Sequence, residues 1–239
     1  MSIDDIDLII LAGGLGTRLR PALKTGQPKA LAGIESRPFI DYLLDWLYQS
    51  GIRKITLSLG YGADQITQHL SRLSIPHDLS IQQVVEPRPL GTGGAIRYAL
   101  QRTSSDPLFI VNGDTIAVLD MATMLDDHIN SNADVSVALA TVDDCRRFGS
   151  VRQNSQGFIE SFVEKSACTS NGPVNAGVYL AGRDIISALP TDTILSWEQD
   201  CLPNYCDGRM IGLLNCDRFL DIGTPETLSC FPTFIHHTE

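Results

Sequence analysis

A short apolar run that opens directly into a glycine-rich loop restricts this chain more than any other feature. Residues 7–12 read Asp-Leu-Ile-Ile-Leu-Ala, and residues 13–16 read Gly-Gly-Leu-Gly. Apolar residues at successive positions suit a strand buried on both faces, as in a parallel sheet covered by helices. In the loop that follows, Gly13, Gly14 and Gly16 carry no Cβ, so their backbone N–H groups can approach an anion closely. Arg18 and Lys29 add fixed positive charge nearby. Together these parts describe a cradle for a polyphosphate, although the glycines alone would equally suit a tight strand-to-loop turn. The spacing is neither the dinucleotide fingerprint G-x-G-x-x-G nor a Walker A loop, which requires Gly-Lys-Ser/Thr.

Strand-like and helix-like segments then alternate. Residues 38–50 carry Ile40, Leu43, Leu44 and Leu47 at helical spacing, and Gly51 stops the run. Strands are expected at 54–58, 80–85 and 107–111, with helices over 62–72 and 95–102. This order predicts an α/β fold with a Rossmann-like, mixed but mainly parallel sheet flanked by helices, its ligands at the carboxyl ends of the strands. Further strands at 134–141, 158–163, 174–181 and 209–214 extend that sheet. No repeat, linker or compositional break divides residues 1–239, so one domain is expected.

Charge narrows the partners. Eighteen Lys and Arg against 28 Asp and Glu give a net charge of −10, which argues against nucleic acid or an anionic membrane. An acidic protein that handles anions must gather its few cations at the site or recruit a metal ion. The acidic N-terminus, with Asp4, Asp5 and Asp7, and its short apolar run read as neither a signal peptide nor a membrane span. Six cysteines, at 145, 168, 201, 206, 216 and 230, form no C-x-x-C pair; free thiols in a cytoplasmic protein are expected.

Three further segments carry chemistry. Residues 86–95, Glu-Pro-Arg-Pro-Leu-Gly-Thr-Gly-Gly-Ala, form a second glycine cluster. Its small residues let a flat base lie against the backbone, and Glu86 can accept hydrogen bonds from N–H groups on a base; a loop leading into a helix is the plainer reading. Asp114, in Asn112-Gly113-Asp114, follows an apolar strand and should point into the cleft, though Asn-Gly-Asp also suits a simple turn. Asp221 follows another apolar run. Two carboxylates plus phosphate oxygens are what Mg²⁺ prefers.

The motifs Leu11-Ala-Gly-Gly-Leu-Gly-Thr-Arg-Leu19, Pro28-Lys29, Pro89-Leu-Gly-Thr-Gly-Gly-Ala95, Asn112-Gly-Asp114 and Asp221-Ile-Gly-Thr-Pro-Glu226 resemble those of the sugar-1-phosphate nucleotidyltransferases, over nearly the whole chain. The likeness runs closest to guanylyltransferases acting on D-glycero-D-manno-heptose 1-phosphate. It implies a nucleotide-side half at about 1–115 and a sugar-side half at about 116–230. Leu11, Ala12, Gly13, Gly14, Gly16, Thr17, Glu86, Gly91, Thr92, Asn112 and Gly113 would bind the nucleotide. Arg18, Lys29 and Lys165 would be catalytic, and Gly149, Glu164 and Asn175 would face the sugar. Asp114 and Asp221 would hold Mg²⁺.

The reaction so implied moves a nucleoside monophosphate from a triphosphate, GTP by this likeness, to a sugar 1-phosphate, and releases pyrophosphate. Glu86 favours guanine because N1–H and the 2-amino group form a donor fork that one carboxylate can accept. Mannose, glucose or N-acetylmuramate 1-phosphate, with UTP or another triphosphate, are the alternative substrates. A non-catalytic nucleotide-sugar-binding subunit is an alternative of another class, and a homo-oligomer stays open. Two departures from the family pattern affect the phosphate loop. The stretch between Pro21 and Pro28 is one residue longer than usual, and Ala30 replaces a common proline.

Overall fold

Successive residues of Asp7–Ala12 (β1) serve opposite faces of a sheet. Leu8 and Ile10 join one apolar cluster and Ile9 another, all fully buried. The computed structural model describes residues 1–145, 148, 150–163 and 171–236. After β1 come a small hairpin, Gly33–Ile34 (β2) and Arg37–Pro38 (β3), helix Phe39–Gln49 (α1), strand Lys54–Leu59 (β4) and helix Ala63–Leu70 (α2). Strand Ser80–Val85 (β5), helix Gly91–Ala99 (α3) and strand Leu108–Asn112 (β6) complete this half. The rest comprises Thr115–Leu119 (β7), helix Met121–Ser131 (α4), Val135–Val142 (β8) and a ribbon of Ser150–Gln153 (β9) with Ile159–Val163 (β10). Gly172–Ala181 (β11), the short helix Arg183–Ser187 (α5), Met210–Asp221 (β12) and helix Pro225–His236 (α6) follow.

Eight strands form one sheet in the order β5-β4-β1-β6-β11-β8-β12-β7. The four from the first half are mutually parallel. β11 is antiparallel to β6 and β8, β12 is parallel to β8, and β7 is antiparallel to β12. The expected mixed α/β sheet is therefore present, and the second half does extend it. Side chains of α1, α2, α4 and α6 pack into the cluster on one face, and those of α3 and α5 into the other. On α1, Phe39, Ile40, Leu43, Leu44 and Leu47 are buried, so the helical spacing read from the sequence is the packed face.

The differences from expectation are instructive. Helix α3 begins at Gly91, not near 95, because its glycine-rich first turn is held by packing that overrides poor helix propensity. Strand β12 runs on to Asp221, and the hairpin β2–β3, β7, α4, β9, α5 and α6 lie outside the expected elements. Helix α4 does carry a local start signal: Asp120 accepts the N–H groups of Ala122 and Thr123. One expectation about cysteines is corrected. Cys201, Cys206, Cys216 and Cys230 are free, but Cys145 is disulfide-bonded. Linear spacing does not reveal which loops the strands bring together.

Candidate active site

The carboxyl ends of β1, β4, β5 and β6 open on a cleft of about 840 Å³. Every residue from Leu11 to Arg18 lines it, together with Lys29, Glu86, Gly91, Thr92 and residues 112–114. The nucleotide-side positions singled out in the sequence thus share one cavity. Gly16 takes φ +58°, and a Cβ there would come within 3.0 Å of the Lys29 Cβ. Its left-handed turn lets the loop fold over the lysine. Lys29 opens a single 3₁₀ turn, Lys29–Leu31, and its Nζ sits 2.5 Å from Asp114 Oδ2.

Two features bring Asp114 and Asp221 to one place. Gly113 donates its N–H to the Leu11 carbonyl (3.0 Å), which sets Asp114 beside the end of β1. Strand β12 changes partner along its length, pairing first with β8 and then, past irregularities between Leu213 and Arg218, with β7. Asp221 therefore lies opposite Thr115, and the Ile222 N–H donates to the Asp114 carbonyl at 2.9 Å. The Thr115 hydroxyl donates to Asp114 Oδ1 (3.0 Å), and the Gly223 N–H to Asp221 Oδ1 (2.8 Å). Two hard carboxylates on adjoining backbones suit a divalent cation that takes its other ligands from phosphate and water. The ammonium on Asp114 shows that this position accepts positive charge. Among the described residues no group of three or more His, Cys, Asp or Glu forms an all-protein metal cage.

Glu86 sits where β5 ends. Its N–H donates to the Leu59 carbonyl (2.8 Å), and its Oε2 accepts the Leu90 N–H (2.9 Å). Burial pushes its carboxyl pKa up, and the Leu90 hydrogen bond opposes that only in part. Gly91 takes φ +72°, and a Cβ there would lie 2.3 Å from the Leu195 carbonyl oxygen. This close approach docks residues 193–198 on the first turn of α3: Gly93 N–H donates to Leu195 O (2.8 Å) and Leu195 N–H to Leu90 O (2.9 Å). Thr92 closes the junction, accepting the Trp197 N–H at 2.7 Å and donating to Glu198 Oε2 at 2.9 Å.

Sequence reading missed Glu198, which lines the cleft. Glu198 stands in a π-helical turn, Trp197–Cys201, capped by Ser196, with no strand or α-helix period to mark it; an acid directly after the largely apolar Ile194-Leu195-Ser196-Trp197 was the available signal. Asn175 is placed differently from the other positions. It is outside the cleft lining, its Nδ2 donating to the Tyr179 hydroxyl (2.7 Å) and its Oδ1 accepting the Gly177 N–H (2.9 Å). Gly149, Glu164 and Lys165 lie outside the described residues. No helix among the described residues is long and apolar enough to cross a membrane.

A family model described as nucleotidyl transferase matches residues 8–236. A D-glycero-alpha-D-manno-heptose 1-phosphate guanylyltransferase from Aneurinibacillus thermoaerophilus is 35% identical over 222 residues, 92% of this chain and 94% of that protein. A mannose-1-phosphate guanylyltransferase from Mycobacterium tuberculosis is 32% identical over 95% of this chain, but only 63% of its own length is covered. Among solved structures, HddC from Yersinia pseudotuberculosis, complexed with GMP-PN, superposes with a TM-score of 0.83 at 33% identity. That match covers 94% of this chain and 96% of HddC.

Proposed function

This chain belongs to the nucleotidyl transferase family, and from that premise we propose that it transfers GMP from GTP to a manno-heptose 1-phosphate. The products are a GDP-sugar and pyrophosphate. The observation that carries the reading is the strand-end cleft that gathers the glycine loop, Lys29, Glu86 and Asp114, with Asp221 outside its lining but on the strand paired beside Asp114, opposite Thr115. Both the heptose-specific relative and HddC with its guanine nucleotide support the choice of substrates.

The sugar-phosphate oxygen attacks the α-phosphorus in line, forming one P–O bond while the bond to the bridging oxygen breaks, and pyrophosphate carries that electron pair away. The nucleophile is already an anion, so no general base is required. The difficulty is holding two anions together, which positioning and electrostatics supply. The amides of residues 13–16, Arg18 and Lys29 hold the triphosphate. Glu86 accepts from N1–H and the 2-amino group of guanine. Asp114 and Asp221 would hold Mg²⁺, which when bound neutralises charge at the phosphates. Lys165 guides the attacking phosphate, with Gly149, Glu164 and Asn175 on the sugar side.

Mannose 1-phosphate is the second reading, favoured by the Mycobacterium relative. The test is pyrophosphate release in Mg²⁺ from each of GTP, UTP, CTP, dTTP and ATP. Each is paired with heptose, mannose, glucose or N-acetylmuramate 1-phosphate. GTP with the heptose should give the highest kcat/KM. Preference for UTP would remove the guanine assignment, and silence with every pair would remove the transferase.

A further inference from the structure

Glu198 is an anion inside a cleft that the proposed reaction fills with anionic phosphates. None of the ion pairs among the described residues involves it. Its described partners are neutral hydroxyls: Thr92 Oγ1 donates to Oε2 at 2.9 Å, Ser196 Oγ to Oε2 at 3.3 Å, and Tyr179 Oη to Oε1 at 3.3 Å. A carboxylate offers about four lone-pair sites, so these three donors, two of them long, leave it acceptor capacity. The carboxylate cannot swing away. Thr92 fixes one oxygen from α3, and the fully buried Tyr179, held by Asn175 on β11, fixes the other. Burial keeps the Tyr179 phenol neutral, with its pKa far above the usual range, so that it remains a donor.

A fixed, partly unsatisfied carboxylate repels phosphate and attracts hydroxyls. We propose that Glu198 recognises a sugar ring in the cleft by accepting hydrogen bonds from its vicinal hydroxyls. The ring is either the acceptor pyranose or the ribose of the nucleotide. Thr92 ties Glu198 to the glycine cluster, and Tyr179 ties it to the second half of the sheet, so the residue stands between the two substrate halves.

The inference rests on the transferase reading, and one set of kinetics separates their failures. Wild type and Glu198→Gln are compared with GTP, 2′-deoxy-GTP and 3′-deoxy-GTP, and with manno-heptose 1-phosphate and its 2-deoxy and 3-deoxy forms. In wild type, removing the recognised hydroxyl should lower kcat/KM about 10- to 100-fold, the range for a hydrogen bond to a charged group. In Glu198→Gln the same deletion should cost less than about 3-fold, and the sensitive substrate identifies the ring. A variant that loses one common factor with every analogue would make Glu198 a mere anchor for residues 193–198. Wild-type indifference to all four deoxy compounds overturns the proposal even if Glu198→Gln folds poorly. Absence of wild-type turnover with the parent pair would instead sink the transferase reading, and this inference with it.

Discussion

Replacing Glu86 by Gln isolates the group assigned to the nucleobase. The substitution keeps the side chain's length and leaves an oxygen for the Leu90 N–H, now met at 2.9 Å. The variant loses the second anionic acceptor and gains an NH₂ that faces the guanine donors. The amide oxygen, shared with the Leu90 N–H, still accepts one guanine donor, so the net loss is one hydrogen bond to a charged group, about 1.5–3 kcal/mol, and kcat/KM for GTP should fall roughly 10- to 10²-fold. Inosine triphosphate lacks the 2-amino group, so wild type should prefer GTP over it by about 10-fold, and the variant much less. Stability should move the other way. Burial raises the Glu86 pKa, so its folded form favours the proton. That contribution is fully present below the unfolded carboxyl pKa and is lost as pH rises through the folded one. At pH 7 the ionised side chain is thus a burden, and Glu86→Gln should melt no lower than wild type. Parallel GTP and inosine triphosphate kinetics, with thermal unfolding at pH 7, decide the matter. An unchanged GTP-to-inosine ratio in the variant would refute the reasoning.

Asp114→Asn and Asp221→Asn should each lower turnover at least ~10²-fold at ordinary Mg²⁺ while leaving the circular dichroism spectrum unchanged; near-normal rates would remove that residue's metal role. Lys29→Ala should raise KM for the triphosphate, and Lys165→Ala should impair use of the sugar phosphate, as steady-state kinetics with one substrate varied at a time will show. His128, buried on α4 with its Nδ1 2.7 Å from the Ser136 hydroxyl, has its pKa lowered, chiefly by burial. Its neutral form therefore stabilises the fold above the unfolded histidine value of about 6.5, and that contribution fades as pH falls below it. Denaturant midpoints measured from pH 7.5 to 5.5 should decline, and His128→Gln should flatten the decline.

What could be read from the chain was whatever its physics writes locally. Strand β1 announces itself because burial on both faces demands consecutive apolar residues, and Gly13, Gly14, Gly16, Arg18 and Lys29 follow within one stretch. Ser80–Val85 was placed to the residue. Strand β7 was invisible because Thr115 to Leu119 follows β6 after two residues and reads as its continuation. Only the arrival of β12 separates the two. Glu198 belongs to the same class: its importance comes from Thr92 and Tyr179, which are distant in sequence and carry no pattern pointing to it. Asn175 was legible as a polar residue beside a glycine in a strand, but its use in holding Tyr179 required the register of β11.

Strands β6 and β7 are neighbours in the chain, yet β11, β8 and β12 stand between them in the sheet. The consequence is one of timing during synthesis. Asp114 leaves the ribosome roughly a hundred residues before Asp221, so for about 5–20 s at ordinary elongation rates the carboxylate pair has only one member. During that interval β7 lacks β12, its pairing partner in the sheet, and presents unpaired N–H and C=O groups. The glycine loop, Lys29 and Glu86 can by then be folded around the first four parallel strands. If the proposed roles hold, a nascent chain could meet a nucleotide well before both aspartates were available to a divalent cation. Until residue 221 has emerged, β7 is without the strand that pairs with it, and even afterwards β7 remains the outermost strand of the sheet.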